Sequence, residues 1–151
     1  MEIIKAGVKD LETIYELNKK LAAEEAKHDI KVDPNVPKEE FMRSYSKKLV
    51  ERMSSCFIAK NNDIPIGYVL GWIEESTYIY RYKAKGIIAE CFVEKTYRKQ
   101  RIGSKLIERL KAWFKENQVD WILVDVLANN NALEFWKKMG LREYSIRLSD
   151  K

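Results

Sequence analysis

Residues 93–105, with the sequence VEKTYRKQRIGSK, decide the fold. They join a stretch whose apolar residues follow the pattern of a strand to one whose apolar residues follow the pattern of a helix. The apolar run Gly86–Val93 that precedes them is typical of a buried strand. After them, apolar residues recur at helical spacing on one face, at Ile102, Leu106, Ile107, Leu110, Trp113 and Phe114. A second apolar run, Val119–Leu127, follows this helix, so the stretch predicts a parallel βαβ unit with a right-handed crossover.

The flanking sequence predicts further strands and helices around this unit. In chain order they are the strand Glu2–Ala6, the amphipathic helices Lys9–Lys27 and Lys38–Met53, the hairpin strands Cys56–Lys60 and Ile64–Glu74, the helix Ala132–Met139 and a closing strand Leu141–Leu148. This order predicts one α/β domain over residues 1–151, in which about four helices flank a single mixed sheet.

The composition excludes several classes of protein. The 151 residues include 28 Lys and Arg against 23 Asp and Glu, which is a net charge of +5, and 46% are hydrophobic. This apolar share is too high for a disordered chain. No uncharged apolar run reaches the roughly 18 residues that a membrane span needs. The start MEIIKAGVKD has an acid at position 2 and no long apolar core, so it does not resemble a signal peptide. We therefore expect a cytoplasmic protein with no membrane partner.

The small number of histidine and cysteine residues disfavours a metal site and a catalytic cysteine nucleophile. His28, the only histidine, falls in a proline-containing loop, which excludes a His-rich zinc site and makes a Cys–His pair improbable. Cys56 and Cys91 lie in predicted strands that another strand separates, which places their Cα atoms too far apart for a disulfide. We predict two free thiols, a reducing compartment and no metal site.

The basic residues of the 93–105 stretch indicate an anionic ligand. Five Lys and Arg crowd the turn that opens the helix, at Lys95, Arg98, Lys99, Arg101 and Lys105. The free N–H groups and the dipole at a helix N-terminus bind phosphate, whereas helix stability alone would favour acidic residues there. Neither GxGxxG nor GxxxxGK[ST] is present. The alternative is an ordinary βα turn with a solvated basic first turn.

Two motifs at this separation resemble the GNAT superfamily of acyl-CoA-dependent N-acyltransferases. The family motif V-x-x-x-x-[Q/R]-x-x-G-x-[G/A] is matched by Val93, Arg98 and Gly103, with Arg101 at the first Gly position. The block 129–141, NNNALEFWKKMGL, resembles the family segment N-x-x-A-x-x-[F/L]-Y-x-x-x-G-F. The predicted element order also agrees with that of the family from Glu2 to Leu148.

The resemblance implies a site for acetyl-CoA between two splayed parallel strands of a mostly antiparallel sheet. The pantetheine arm would bond the strand backbone at Cys91, Phe92 and Val93. The pyrophosphate would bind the amides of Lys99, Gln100, Arg101, Ile102, Gly103 and Ser104, with added charge from Arg98, Lys99 and Arg101. Asn129 would bond the pantetheine, and the helix that carries Trp136 would wall the thiol end.

The sequence departs from the family pattern at two positions. Arg101 replaces a glycine, and we expect it to keep an ordinary φ with its side chain turned outward. Trp136 replaces the tyrosine that protonates the departing CoA thiolate in many members, and an indole N–H cannot serve as an acid.

The resemblance further implies direct attack of a primary amine on the thioester. Glu90, a lone carboxylate in an apolar strand, is the candidate general base. The alternative is a carboxylate on the solvent-facing side of that strand. The oxyanion would accept from a strand N–H near Phe92 or Val93. The first two predicted helices and their loop carry an acidic set that would favour a cationic amine: Glu24, Glu25, Asp29, Asp33, Glu39 and Glu40. These acids also fit ordinary solvated helix faces.

Two other functions compete with acetyl transfer to a small-molecule, polyamine, peptide or protein amine. A catalytically impaired acyl-CoA-binding regulatory protein is favoured only by Trp136. A nucleic-acid-binding module is disfavoured, because Tyr97 is the only aromatic residue in the basic run and a stacking platform needs several. We expect no nucleic-acid partner, and a monomer or a homodimer.

Overall fold

Helices and strands follow one another along the chain in the order that the periodicity predicts, up to residue 140. The computed structural model describes all residues, 1–151. Its strands are β1 (Glu2–Lys5), β2 (Ser54–Asn61), β3 (Ile64–Glu75), β4 (Ala84–Val93) and β5 (Ile122–Val124). Its α-helices are α1 (Leu11–Glu25), α2 (Lys38–Val50), α3 (Ile102–Glu116) and α4 (Ala132–Lys138).

The five strands form one sheet in chain order, β1-β2-β3-β4-β5. Neighbouring strands are antiparallel except for β4 and β5, which are parallel. The predicted fold class, an α/β domain with a mostly antiparallel sheet and one parallel pair, is confirmed. None of the helices is both long enough and apolar enough to cross a membrane.

Apolar faces of the helices cover both sides of the sheet. Helices α1 and α2 bury Ile14, Leu17 and Phe41 against one face, where Ile58 and Leu70 point toward them. Helix α3 buries the stripe that its sequence predicts against the other face, at Ile102, Leu106, Ile107, Leu110, Trp113 and Phe114. β4 is therefore covered by helices on both faces, which explains its apolar sequence.

The strand predicted over Val119–Leu127 is much shorter in the structure. Only Ile122–Val124 forms a ladder, and its partners on β4 are Gly86–Ile88. Ala89 is an extra residue in β4, since Leu70 of β3 pairs with Glu90 and the next residue, Gly71, pairs with Ile88. Such a bulge bends a strand and increases its twist. The β4–β5 ladder ends beside this bulge, at Ile88 and Val124, so residues 125–127 of the predicted strand have no ladder partner.

The closing strand predicted over Leu141–Leu148 is wrong, because residues 141–151 have no regular secondary structure. The segment lies near β5, where the ring of Tyr144 contacts Trp121 with centroids 5.9 Å apart and Arg147 reaches Asp125 at 3.5 Å. Ile146 and Leu148 are 87% and 89% exposed. β5 has only three residues, which is too short an edge to pair with an eight-residue closing strand, so Ile146 and Leu148 remain uncovered.

The two cysteines are free, as predicted. Cys56 of β2 pairs with Leu70 of β3, while Cys91 of β4 pairs with the adjacent Val69. The strand β3 therefore lies between the two thiols.

Candidate active site

A gap opens between β4 and β5 where their pairing stops. Glu94 donates its N–H to the Ile66 carbonyl of β3. Peptide groups alternate in direction along a strand, so those of Val93 and Cys91 point the other way, into the gap. Phe92 instead pairs with Tyr68 of β3, and its ring is buried beneath α1 and α2. Two of the three predicted backbone positions thus face the gap.

A row of unsatisfied amides begins where β4 ends. None of the N–H groups from Lys99 to Ser104 donates to a backbone or side-chain acceptor of the protein. The first bond of α3 is the one from the Lys105 N–H to the Arg101 carbonyl, and Arg101 caps the helix without a side-chain bond. Six adjacent donors at a helix N-terminus form a site that suits an anion such as a phosphate.

The backbone of this loop corrects one expectation. Arg101 has φ 62°, a left-handed conformation, instead of the ordinary φ that we predicted. Lys99 is also left-handed, with φ 63°. This conformation costs a residue with a side chain about 1–2 kcal/mol. The loop therefore keeps the glycine-type backbone at Arg101, and the turn brings its amides together in spite of the strain.

The basic side chains of the loop divide into two groups. Arg98 donates from Nε to the Val93 carbonyl at 2.8 Å and from Nη2 to both carboxylate oxygens of Glu24 at 2.8 Å. Lys95 lies 3.7 Å from the same carboxylate. Lys99, Arg101 and Lys105 are exposed and form no salt bridge. Arg98 is thus occupied in holding the loop to α1, while three cations stay available to an anionic ligand.

The second motif block lies against the loop. A Cβ built on Gly103 would be 3.4 Å from the Phe135 ring, so α4 packs closely on the start of α3. Trp136 is 8% exposed and belongs to the core on the α3 side. Asn129 is exposed, and its Nδ2 donates to the His28 carbonyl at 3.0 Å. That bond joins the β5–α4 loop to the α1–α2 loop.

Glu90 lies on the α1 side of β4 with three hydrogen bonds to one carboxylate oxygen. Oε2 accepts from the Tyr68 hydroxyl at 2.6 Å, from the Asn18 Nδ2 at 3.1 Å and from the Tyr45 hydroxyl. Asn18 also donates to the Tyr68 hydroxyl at 3.0 Å. Glu90 is half-buried, and its Oε1 has no partner in the protein. One oxygen is held by the fold and the other remains free.

The two phenols stay protonated. Burial raises the pKa of both Tyr45 and Tyr68 well above the ordinary value, and the negative charge of Glu90 raises it further. Burial likewise raises the pKa of the Cys91 thiol to about 12, so the residue next to Glu90 is not a thiolate at neutral pH.

Sequence reasoning missed the three partners of Glu90. Nothing in the helical or strand periodicity singles out Asn18, Tyr45 or Tyr68 as partners of a carboxylate. Each is a polar group in an otherwise apolar face or strand. A polar group in such a position predicts that it has a hydrogen-bond partner in the folded protein, but it does not identify that partner.

A model of the acetyltransferase (GNAT) family matches residues 14–141. The chain belongs to the GNAT family. Among curated protein sequences, none matches this chain. The matched range of this GNAT chain includes the loop, Glu90 and α4, and the expectation from its two motifs is confirmed at the level of the family.

Solved structures similar to this GNAT chain cover 99% of its length. A predicted acetyltransferase from Clostridium acetobutylicum, solved with acetyl-CoA, has 22% identity and a TM-score of 0.82, with 95% of that chain covered. The aminoglycoside N-acetyltransferase AAC(6')-Iy, solved with CoA, has 16% identity and a TM-score of 0.83, with 93% covered. A mutant of the BH1408 protein from Bacillus halodurans has 19% identity and a TM-score of 0.82, with 99% covered. These similarities show a shared fold.

Proposed function

We propose that this chain is an acetyl-CoA-dependent N-acetyltransferase that acts on a cationic primary amine. The observation that carries the proposal is the row of six free amides, Lys99–Ser104, at the end of the splayed strand. Amides in this number suit an anionic partner, and the adjoining gap offers strand-like bonding to an extended chain. A pyrophosphate joined to a pantetheine arm combines both features in one ligand.

The residues present suit CoA. The amides of Lys99 to Ser104 would hold the pyrophosphate, with Lys99 and Arg101 adding positive charge. The N–H and carbonyl of Cys91 would bond the pantetheine as a neighbouring strand does, while the Val93 carbonyl is already taken by Arg98 and only the Val93 N–H faces the ligand. Asn129 would reach it once its bond to His28 is exchanged. Arg98 would act through the loop, since its guanidinium is already bonded to Glu24 and Val93.

The acceptor must lose a proton before it attacks, because an alkyl ammonium with a pKa near ~10.4 is mostly protonated at neutral pH. Oε1 of Glu90 is free to accept that proton, directly or through a water. The amine nitrogen then forms a bond to the thioester carbonyl carbon, and the carbon–sulfur bond breaks with its electron pair on sulfur. Of the two protons that the ammonium loses, one ends on the CoA sulfur and one in solvent.

Charge stabilisation in this step would come from the strand. The Val93 N–H points into the gap and would donate to the developing oxyanion, while the Phe92 N–H is directed to β3. Trp136 cannot donate a proton to the sulfur. A thiol of pKa near ~8.5 leaves as a thiolate and takes its proton from water, so no acid residue is required.

Carboxylates near Glu90 support a cationic acceptor. Partial burial raises the pKa of the Glu25 carboxyl, and repulsion from Glu90 and Asp29 raises it further. Glu25 forms no salt bridge, whereas Asp29 is paired with Lys31 at 2.9 Å. A positively charged amine would relieve the repulsion between Glu25 and Glu90. Glu24 is used by Arg98 and does not belong to this surface.

The test follows free thiol release from acetyl-CoA with a panel of mono-, di- and polyamines. Amine-dependent release by the wild-type protein, with kcat at least about a hundredfold lower in Glu90→Gln, is the expected result. Tight CoA binding without release for any amine would contradict the enzyme and leave a CoA-binding regulator. Salt-sensitive binding of nucleic acid without CoA binding would contradict both.

A second test addresses the CoA site. Gly103→Val should weaken CoA binding, since its methyl groups would displace Phe135 and the amides beside it. Gly103→Ala is the matched control, because its Cβ would sit at ordinary contact distance. Equal CoA affinity in the two variants would refute this placement of the pyrophosphate.

A further inference from the structure

The carboxylate of Glu90 receives donors from three separate elements of the fold. Asn18 belongs to α1, Tyr45 to α2 and Tyr68 to β3, and all three donate to Oε2. These contacts span 72, 45 and 22 residues of sequence. The convergence requires α1 and α2 to be docked on the sheet, so it is a property of the assembled domain.

Three donors on one oxygen restrict a side chain that is otherwise loosely held. The terminal torsion of a glutamate is broad, so an unbonded carboxylate would sample many orientations. Bonds of 2.6 Å and 3.1 Å and the Tyr45 bond hold Oε2 of Glu90 in place and restrict the rotation of the carboxylate. Oε1 is then the only oxygen that can meet a substrate.

The groups that face Glu90 make this arrangement stable over a wide pH range. Tyr45, Tyr68, Cys56 and Glu25 are the titratable groups that its charge affects. Both phenols and the Cys56 thiol have a raised pKa and remain neutral. Asn18 has no titratable group. The donors therefore keep their protons when Glu90 gains or loses one.

We propose that Tyr68, Asn18 and Tyr45 are positioning residues that aim Oε1 of Glu90 at the acceptor amine. This inference rests on the proposed function, since it assigns the three residues to the same site. Helix α1, which supplies Asn18, also ends at Glu25, the carboxyl that lies close enough to Glu90 for their charges to repel. Docking of this helix thus brings both a donor and a second carboxylate to the acceptor surface.

The first test compares Tyr68→Phe with Tyr15→Phe. Both changes remove one hydroxyl from a buried ring, but Tyr15 donates to the Val36 carbonyl at 3.0 Å and does not contact Glu90. We expect kcat to fall about tenfold in Tyr68→Phe, with the KM for acetyl-CoA unchanged. The acidic limb of the pH–rate profile should move to higher pH, because a bond to the charged carboxylate is lost. Equal profiles in the two variants would overturn the inference.

A second variant changes the donor with little change in shape. Asn18→Asp replaces the Nδ2 donor by a carboxylate oxygen beside Glu90, so the two charges repel. The acidic limb of the pH–rate profile should move to higher pH in Asn18→Asp, and by more than in Tyr68→Phe. A limb that stays at the wild-type position in Asn18→Asp would contradict the proposed role of Asn18.

A double-mutant cycle separates positioning from general destabilisation. If Tyr68 acts through Glu90, adding Tyr68→Phe to Glu90→Gln should change kcat by less than about twofold. A full tenfold loss in that background would show a structural effect and overturn the inference. Wild-type protein that transfers acetyl groups to no amine would refute the proposed function and the inference together. If the wild type is active and the effects of Tyr68→Phe and Glu90→Gln on kcat are additive, only the inference is refuted.

Discussion

The guanidinium of Arg98 places Nη2 2.8 Å from both carboxylate oxygens of Glu24 and so ties the β4–α3 loop to helix α1. Its Nε is bonded to the Val93 carbonyl at the same time. The residue at the [Q/R] position of the family motif therefore connects three parts of the site: the splayed strand, the amide row and the helix beside the acceptor surface.

Loss of this connection should affect ligand binding more than stability. In Glu24→Gln we expect the CoA dissociation constant to rise about three- to tenfold, because the amide row loses its support from α1. Since Arg98 is 41% and Glu24 27% exposed, the unfolding free energy should drop by less than about 1 kcal/mol. Calorimetric titration with CoA and urea unfolding measure the two effects.

Lys47→Gln is the control for this prediction, since it removes an exposed ion pair with Glu51 that is remote from the loop. A Glu24→Gln variant that binds CoA as Lys47→Gln does would show that α1 does not support the amide row.

The left-handed residues of the loop predict a stabilising substitution. Arg101→Gly should raise the unfolding free energy by about 0.5 kcal/mol, since relief of about 1–2 kcal/mol of strain exceeds the added entropy of the unfolded chain. CoA binding should weaken only moderately, because the amide is retained while the positive charge of Arg101 beside the pyrophosphate is lost. Arg101→Val should destabilise the chain and weaken CoA binding, as a β-branched residue resists positive φ.

Gln118 provides the matched control, because it has φ 60° just beyond the C-terminal end of α3. Gln118→Gly should stabilise the chain to a similar extent and leave CoA binding unaltered. If Arg101→Gly destabilises while Gln118→Gly stabilises, the Arg101 side chain contributes a contact that outweighs its backbone strain.

Trp136 should be important for stability and dispensable for proton transfer. It is buried and contacts Phe135 with ring centroids 5.1 Å apart. Trp136→Phe should lower the unfolding free energy by about 1–3 kcal/mol through the lost volume, while kcat stays within about twofold. A tenfold lower kcat in folded, CoA-saturated Trp136→Phe would show that the indole assists departure of the thiolate.

Alkaline pH should destabilise the chain through its buried thiols. Burial raises the pKa of Cys91 from 9.0 to about 12, and that of Cys56 is raised by burial and by the charge of Glu90. Above pH 9 the unfolded chain loses these protons and the folded chain keeps them. Folding stability is therefore fully present below pH 9 and declines as the pH rises toward 12.

Urea unfolding at pH 8 and pH 10 measures this decline. The loss between the two pH values should be smaller in Cys91→Ala than in the wild type, because one of the groups that releases a proton on unfolding is absent. An identical loss in both proteins would assign the effect to other groups, such as the buried Tyr45 and Tyr68, whose pKa values are also raised.

Features of the site that depend on neighbouring residues in the chain could be predicted from the sequence. Features that depend on how distant segments pack could not. The βαβ unit around residues 93–105 is encoded in adjacent periodic runs, so its strand, loop and helix appear as expected. The conformation of Arg101 was predicted incorrectly, because the turn imposes a backbone that the residue type alone disfavours. The strand over Leu141–Leu148 failed for a related reason. Alternating residues form a strand only where a partner edge is long enough.

The sequence by itself determined the order of the elements, the apolar faces that bury them and the place where an anion can bind. These follow from periodicity and from the unpaired amides at a helix start, which are local properties of the chain. Only the tertiary structure decided the surroundings of Glu90 and the use of Arg98. Both depend on how α1 and α2 dock on the sheet, and that docking brings together side chains that lie as far as 74 residues apart.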